Sequence, residues 1–216
     1  SFKGVLKFVI SQALNNTTVQ VDLNNINKLP KETDVAMSFY NSKSNKLMHT
    51  YTHTLNRNQL PDTFALDPIY TYKMVVHTVP EVVVDNIKLI PGKHNTIVAQ
   101  TPQGILKLST QGSNSQFTGI NVIVRKDNEY KTINIHKMNS EKEYLLGKYD
   151  LEMLTLPRIY FEDVEIKQSK TTEITIPLYG SVQISKGNGP ASLFLKDKGQ
   201  YIWKYDFDNF RYIDNL

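Results

Sequence analysis

The sequence predicts an all-β protein assembled from tandem antiparallel β-sandwich modules, and three observations carry that expectation. First, one stretch recurs. Tyr72 to Ser109 aligns with Tyr149 to Ser185 about 77 residues further on, matching Tyr72 with Tyr149, Thr78 with Thr155, Pro80 with Pro157, Asp85 with Glu162 and Ile97 with Ile174. A single gap then sets Gly104 on Gly180, so the unit begins a third time before residue 216. Self-similarity at a fixed spacing marks a duplicated unit of roughly 75 to 100 residues. Second, the apolar pattern has period two: Val19, Val21 and Leu23 alternate with polar residues, as do Val122 and Val124, Ile133 and Ile135, Val164 and Ile166, and Ile174 and Ile176. Such alternation gives strands with one buried face, and no helical stripe competes with it. Third, turn formers fall between the runs: Asn41 to Asn45, Pro91-Gly92, Asp127-Asn128, Gly187 to Pro190 and Lys198-Gly199.

Each module follows one plan. A strand led by Gly opens it: Gly4 to Phe8, Gly104 to Leu108 and Gly180 to Ile184. A hairpin comes next, over Val35 to Thr54, Ile120 to Met138 and Ala191 to Phe207. A connection then leads into the strand of Leu145 to Glu152, and two last strands follow Pro80 or Pro157. The expected modules are therefore 1–103 and 104–179, with 180–216 as the first half of a third. Half a sandwich leaves open edges and an apolar face. Residues 180–216 are expected either to belong to a longer protein or to dock as an extension on module two.

Composition narrows the function classes. With 216 residues, 40% hydrophobic and 21% charged, the chain has the make-up of a soluble globular protein. No apolar run reaches the ~18 residues of a membrane span. The chain begins at Ser1, without Met or signal peptide, which reads as a processed or trimmed protein. The net charge of +4 is spread over scattered Lys interleaved with Asp and Glu, which predicts solvated strand faces and no nucleic-acid surface. Zero Cys removes disulfides, thiolate metal sites and Cys nucleophiles together. That usage suits bacterial periplasmic or surface proteins.

The segment Leu146-Gly147-Lys148-Tyr149-Asp150-Leu151-Glu152, the Thr155-x-Pro157 after it, and the strands closing on an apolar residue then Pro or Gly resemble the core of transthyretin-like β-sandwich modules. These modules, an Ig-like architecture, include the carboxypeptidase-regulatory and collagen-adhesin B-type repeats. The resemblance implies that Gly opens a strand after a tight turn and that the Tyr faces the sandwich core. Module one departs from it, because Tyr70 stands where Gly147 does and its turn must differ. More narrowly, Gly147 to Ile159 is similar to the C-terminal part of Bacteroidetes surface proteins that carry a von Willebrand factor A domain upstream, over residues 102 to 205. The A domain is absent here, having no Asp-x-Ser-x-Ser motif. The resemblance implies an architecture and a cell-envelope setting, and no functional residue.

Candidate chemistry is sparse. His49 and His53 lie four apart on one predicted strand, over ~13 Å at strand rise, which is too far for one metal ion. His53 and His136 fall at matching hairpin positions, which predicts a shared structural role, and His77 and His94 have no Cys or carboxylate partner at a recognised spacing. Glu162, Asp163 and Glu165 interleave with Val164 and Ile166 as an exposed strand face would. Asp206, Asp208 and Asp214 lack the Gly-containing spacing of calcium loops. There is no nucleophile elbow, phosphate loop or dinucleotide fingerprint. Asn15-Asn16-Thr17-Thr18 holds two overlapping glycosylation sequons, read as accidental.

The aromatic run remains. Tyr201, Trp203, Tyr205 and Phe207 alternate along one strand, with Phe210 and Tyr212 after it. They form either the core face of module three or a platform for a sugar ring or partner chain. Exposure of Trp203 would favour the platform. The expected function is non-catalytic, with no cofactor and no bound metal: a stalk, spacer or protein-interaction module of a periplasmic, cell-surface or secreted bacterial protein. Its partners would be another protein or other domains of the same longer chain. The alternative is a carbohydrate-binding module using Tyr201, Trp203, Tyr205 and Tyr212.

Overall fold

The computed structural model describes residues 17–23, 34–111, 119–155, 158–176, 182–183, 189–207 and 212–213. The chain divides into two compact units, Ser1–Pro102 and Gln103–Leu216. Every regular element described is a strand, as the period-two alternation predicts.

Unit one contains β1 (Thr18–Asp22), β2 (Val35–Asn41), β3 (Leu47–His53), β4 (Thr63–Ala65), β5 (Thr71–Val76), β6 (Val82–Lys88) and β7 (His94–Val98). They form a four-stranded sheet in the order β3-β2-β5-β6 and a three-stranded sheet in the order β4-β1-β7. The alternate residues Val19 and Val21 of β1, Met37 and Phe39 of β2, and Tyr72, Met74 and Val76 of β5 meet in one buried cluster. Both sheets contribute to it, which makes the unit a sandwich. Phe39 sits at its centre, with rings of Phe64 and Tyr72 edge-on at 5.6 and 6.3 Å.

Unit two repeats this strand for strand. Here β8 (Gln103–Thr110), β9 (Asn121–Lys126), β10 (Thr132–Lys137), β11 (Ser140–Leu145), β12 (Gly147–Met153), β13 (Ile159–Ile166) and β14 (Thr171–Ile176) form sheets β10-β9-β12-β13 and β11-β8-β14. In both units the first strand pairs parallel to the seventh, β1 with β7 and β8 with β14, while the other partners are antiparallel. The correspondence reaches single residues. Asn86 on β6 and Asp163 on β13 both take left-handed backbone, with φ of 57° and 58°, where the register to β5 and β12 slips. Asn and Asp tolerate that conformation, so the two β-bulges fall where the repeat aligns them.

The plan read from sequence needs three corrections. Module one does not use Gly4 to Phe8 as the counterpart of β8. That place belongs to β1, and Thr17 stands where Gly104 does, while Gly4 to Phe8 lie outside the described residues. Thr17 is buried and its Oγ1 accepts the Gly92 amide at 2.8 Å, a contact that Gly104 replaces with bare backbone. Next, the pairing Met37–Tyr51 in β2·β3 corresponds to Val122–His136 in β9·β10, so His136 matches Tyr51 and not His53. Last, the connection leading to each central strand itself contributes a strand, β4 or β11, to the smaller sheet. As expected, the turn before Tyr72 differs from the one before Tyr149: Asp67 Oδ1 accepts the Ile69 amide, whereas Gly147 carries φ of 147°. Pro157 lies outside the described residues.

Four further strands follow: β15 (Val182–Gln183), β16 (Ala191–Asp197), β17 (Gln200–Phe207) and β18 (Tyr212–Ile213). β15 pairs with β18 and β16 with β17, both antiparallel. The described pairings join neither pair to a strand of β8–β14.

Candidate interaction site

The β16–β17 hairpin carries the aromatic run, and its register decides what that run can do. Residues directly opposite on antiparallel strands share a face. Leu193 faces Tyr205, but Phe194 faces Trp203, so Lys204 is an extra residue on β17. This bulge divides the expected stripe in two. Ala191, Leu193, Leu195, Ile202, Tyr205 and Phe207 lie on an inner face that ends in the polar pair Asp197–Gln200 beside the turn; Phe207 is buried and its ring meets Tyr205 edge-on at 5.3 Å. Ser192, Phe194, Lys196, Tyr201, Trp203 and Asp206 share the outer face.

The outer face is an open aromatic surface. Phe194, Tyr201 and Trp203 are 49%, 69% and 56% exposed. Asp206 holds Trp203 in place by accepting its indole N–H at 2.8 Å, and it also accepts the Ser192 hydroxyl at 2.5 Å. Those two donors depress the Asp206 carboxyl below its usual range. Lys196 places its ammonium over the Tyr201 ring, 5.6 Å from its centre, a contact that is weak at an exposed site. Three rings beside a carboxylate, a hydroxyl and an ammonium can stack on a flat ligand and bond its polar edge. Sequence reading found Tyr201 and Trp203 but missed Phe194, because only the bulge brings it beside Trp203. It also placed Tyr205 with them, whereas Tyr205 belongs to the inner face. The Tyr212 side chain, Phe210, Asp208 and Asp214 lie outside the described residues.

Two polar clusters lie on the four-stranded sheets. In unit one Ser38 Oγ is 2.8 Å from His77 Nε2, and His77 Nδ1 is 2.7 Å from Glu81 Oε1. His77 therefore has a carboxylate partner, against the sequence expectation, because the tight turn after β5 folds residue 81 back onto it. The connectivity is that of a nucleophile, a base and an orienting acid. Ser38, however, is buried in mid-strand between Thr50 of β3 and Val75 of β5, where backbone amides serve the ladders. The cluster ties the turn at residues 77–81 to the sheet.

In unit two the same corner is tied by Arg125, Glu152 and Arg158. Glu152 is only 5% exposed, and Arg125 reaches its Oε2 at 2.7 Å while Arg158 bonds its Oε1. The Arg125 bond first, and the Arg158 bond next, hold the Glu152 carboxyl below the ordinary carboxylate range. Val75 occupies the matching place in unit one, so the sandwich itself does not require this charge. A groove of about 370 Å³ opens beside it, walled by Tyr130, Asp150, Tyr160 and Glu162. Glu152→Gln is expected to destabilise unit two by about 2 kcal/mol at neutral pH, since both guanidinium groups lose a charged acceptor. Because the folded pKa is depressed, this stability is present above the unfolded value of about 4.5 and is lost as pH falls through the folded value. Denaturant midpoints of wild type and variant, well apart at pH 7, should converge in acid.

The other candidates serve structure. His53 and His136 are both buried. His53 Nε2 contacts the Val21 carbonyl at 3.1 Å, while His136 contacts the Tyr144 hydroxyl at 3.0 Å and the Ser140 carbonyl at 3.2 Å. Burial pushes His136 below its ordinary pKa. His49 stacks on Tyr51, and His94 contacts Thr18 and Gln20. Val164 and Ile166 are buried, while Asp163 pairs with Lys148 and Glu165 with Lys167 on the exposed side. Among the described residues no three His, Asp or Glu side chains gather as a metal group, and no helix is long and apolar enough to cross a membrane.

No family model matches the chain, and no curated protein matches it. Solved structures similar to it include two that can be described. One is the Bacillus anthracis TIE protein, at 12% identity and a TM-score of 0.29, over 74% of this chain and 33% of that one. The other is a leucine-rich repeat protein from Bacteroides thetaiotaomicron VPI-5482, at 13% identity and a TM-score of 0.25, over 75% of this chain and 26% of that one. The chain thus spans about a third and a quarter of their respective lengths. At these scores neither likeness assigns a family or a function.

Proposed function

We propose that the chain is a non-catalytic, adhesion-type interaction module of a periplasmic, cell-surface or secreted bacterial protein. In this reading the two seven-stranded sandwiches are transthyretin-like spacer modules, and the outer face of the β16–β17 hairpin is the contact surface. The exposure of Trp203, Tyr201 and Phe194 on one face carries the proposal. Large rings left in water and fixed in place dominate binding energy where partners meet. The absence of Cys and the similarity of Gly147 to Ile159 to Bacteroidetes surface proteins support the envelope setting. A second reading rests on the polar trio Ser192, Asp206 and Lys196 beside the rings, which supplies the hydrogen bonds that sugar hydroxyls need. That reading makes the ligand a glycan.

Beads coated with the chain test both readings on intact bacterial and host cells. Wild type should adhere, and a Tyr201→Ala, Trp203→Ala double variant should not. Sensitivity of the cell surface to protease makes the ligand a protein, and sensitivity to glycosidases makes it a glycan. Equal behaviour of wild type and variant sinks the proposal. On a purified ligand, Trp203→Ala alone should weaken binding by about 2 kcal/mol, roughly thirtyfold. Its effect on stability should stay within about 0.5 kcal/mol, because the ring is largely in water.

A further inference from the structure

The two sandwiches diverge at one corner of the four-stranded sheet. In unit one Tyr40 of β2 lies opposite Lys73 of β5, and these side chains span the corner. Lys73 holds its ammonium 5.0 Å from the centre of the Tyr40 ring and bonds Asn45 Oδ1 in the turn between β2 and β3. In unit two the matching pair is Arg125 and Asp150, and there the corner opens as the groove of about 370 Å³. Arg125 is bonded to the buried Glu152, which stands where unit one has Val75. Taking a carboxylate and its guanidinium partners out of water is costly, and apolar residues serve such places at least as well. Val75 shows that the sandwich forms without the charges. The cluster of Arg125, Glu152 and Arg158 therefore shapes the groove and is not a demand of the fold.

Three kinds of group meet at the groove. Tyr130 on the turn between β9 and β10 and Tyr160 on β13 hold their rings in water, 99% and 60% exposed. Arg125 keeps further N–H donors beyond its bond to Glu152. Arg158, the second partner of Glu152, also interacts with Tyr160, so one buried carboxylate steadies both the guanidinium and a ring. Acceptors come from Asp150, Glu129 and Glu162, and the β-bulge sets Glu162 opposite Asp150. Asp150 Oδ2 accepts the Asn128 amide at 3.3 Å, which ties the turn carrying Tyr130 to β12. Arg125 on the wall disfavours a cation, and the three carboxylates disfavour an anion. A neutral ring with several hydroxyls suits every group: its hydroxyls donate to the carboxylates and accept from the guanidinium, while its C–H face lies on a tyrosine. We propose that this groove of unit two is a binding site for a neutral saccharide, with Tyr130 and Tyr160 as stacking rings and Arg125 and Glu162 as the groups that orient it. The groove shares no residue with the β16–β17 hairpin, so it stands independently of the function proposed above.

The test titrates the full chain by calorimetry with neutral tetrasaccharides of glucose, in α and β linkage, and of xylose and mannose. At least one should bind saturably, one to one, and shift the amide resonances of residues 125–130 and 158–162. Tyr130→Ala and Tyr160→Ala should each weaken that binding by at least about tenfold. Both rings are largely in water, so neither variant should move the unfolding midpoint appreciably. Trp203→Ala should bind the same saccharide as wild type does, which separates this groove from the hairpin. Spermine and a sulfated tetrasaccharide serve as cationic and anionic probes. No saturable binding of any neutral saccharide overturns the proposal, as does binding that survives the double Tyr130→Ala, Tyr160→Ala substitution or is lost in Trp203→Ala. A groove that takes spermine or the sulfated probe and no neutral saccharide overturns it as well.

Discussion

Tyr149→Ala is expected to cost unit two about 3–5 kcal/mol, the range for removing an aromatic ring from a core. Tyr149 is 1% exposed, and its ring meets Tyr144 edge-on at 5.5 Å, across the space between the two sheets of the unit. Its hydroxyl donates to the Leu145 carbonyl at 2.7 Å, at the turn that leads into β12. The side chain thus joins the sheets and fixes the entry of the central strand. Tyr72 does the same in unit one, wholly buried and donating to the Asp67 carbonyl at 2.9 Å. Each alanine variant should lower the denaturation midpoint of the unit that carries it, read by chemical unfolding with circular dichroism. Tyr149→Phe keeps the ring and should cost only about 1 kcal/mol for the lost hydrogen bond. It should also change the alkaline limb. Burial pushes the Tyr149 hydroxyl up to about 12, so the neutral phenol favours the fold and stability falls as pH rises above the unfolded value of about 10. The Phe variant lacks that contribution.

Gly104→Ala is expected to be nearly as damaging, at about 3 kcal/mol. A Cβ at this position would lie 2.2 Å from the Lys167 carbonyl oxygen and 2.9 Å from an Ile166 methyl carbon. The first of these is backbone and cannot swing aside, so β8 must part from the loop between β13 and β14. Gly119 provides the control, because a Cβ there meets nothing within 4 Å. Gly119→Ala should therefore change stability by no more than about 0.5 kcal/mol. Thermal melts of the two variants beside wild type check the contrast, and equal melting would mean that the close approach of Lys167 is wrong.

Much of the fold was legible because the repeat and the alternation report on backbone direction. Val122 and Val124, or Val164 and Ile166, alternate with polar residues because one face of each strand is dry, and that pattern survives in a single sequence. The three hairpins follow from turn residues such as Asn45, Asn128 and Gly199, all of which carry positive φ. Less legible was the counterpart of β8 in unit one. A leading glycine does not mark this strand: Gly104 admits the close Lys167 carbonyl, whereas Thr17 at the matching place makes a different contact, its hydroxyl accepting the Gly92 amide.

The candidate site was legible in part. Tyr201 and Trp203 stand out by residue type, but their face depends on a single extra residue, Lys204, and period-two reasoning cannot register a bulge. Phe194 was hidden for the same reason. The pairing of His77 with Ser38 and Glu81, and of Glu152 with Arg125, joins residues that only the sheet register and the corner turn bring together.

Fluorescence quenching of the single tryptophan tests the central claim most directly, since recognition through the outer face of the hairpin requires Trp203 to stand in water. The account predicts red-shifted emission from the native chain, quenching by iodide close to that of free tryptophan, and little change in either on unfolding. Blue-shifted emission that iodide cannot reach, released only by denaturant, would contradict it, because Trp203 would then be a core residue and the chain would lack its aromatic contact surface.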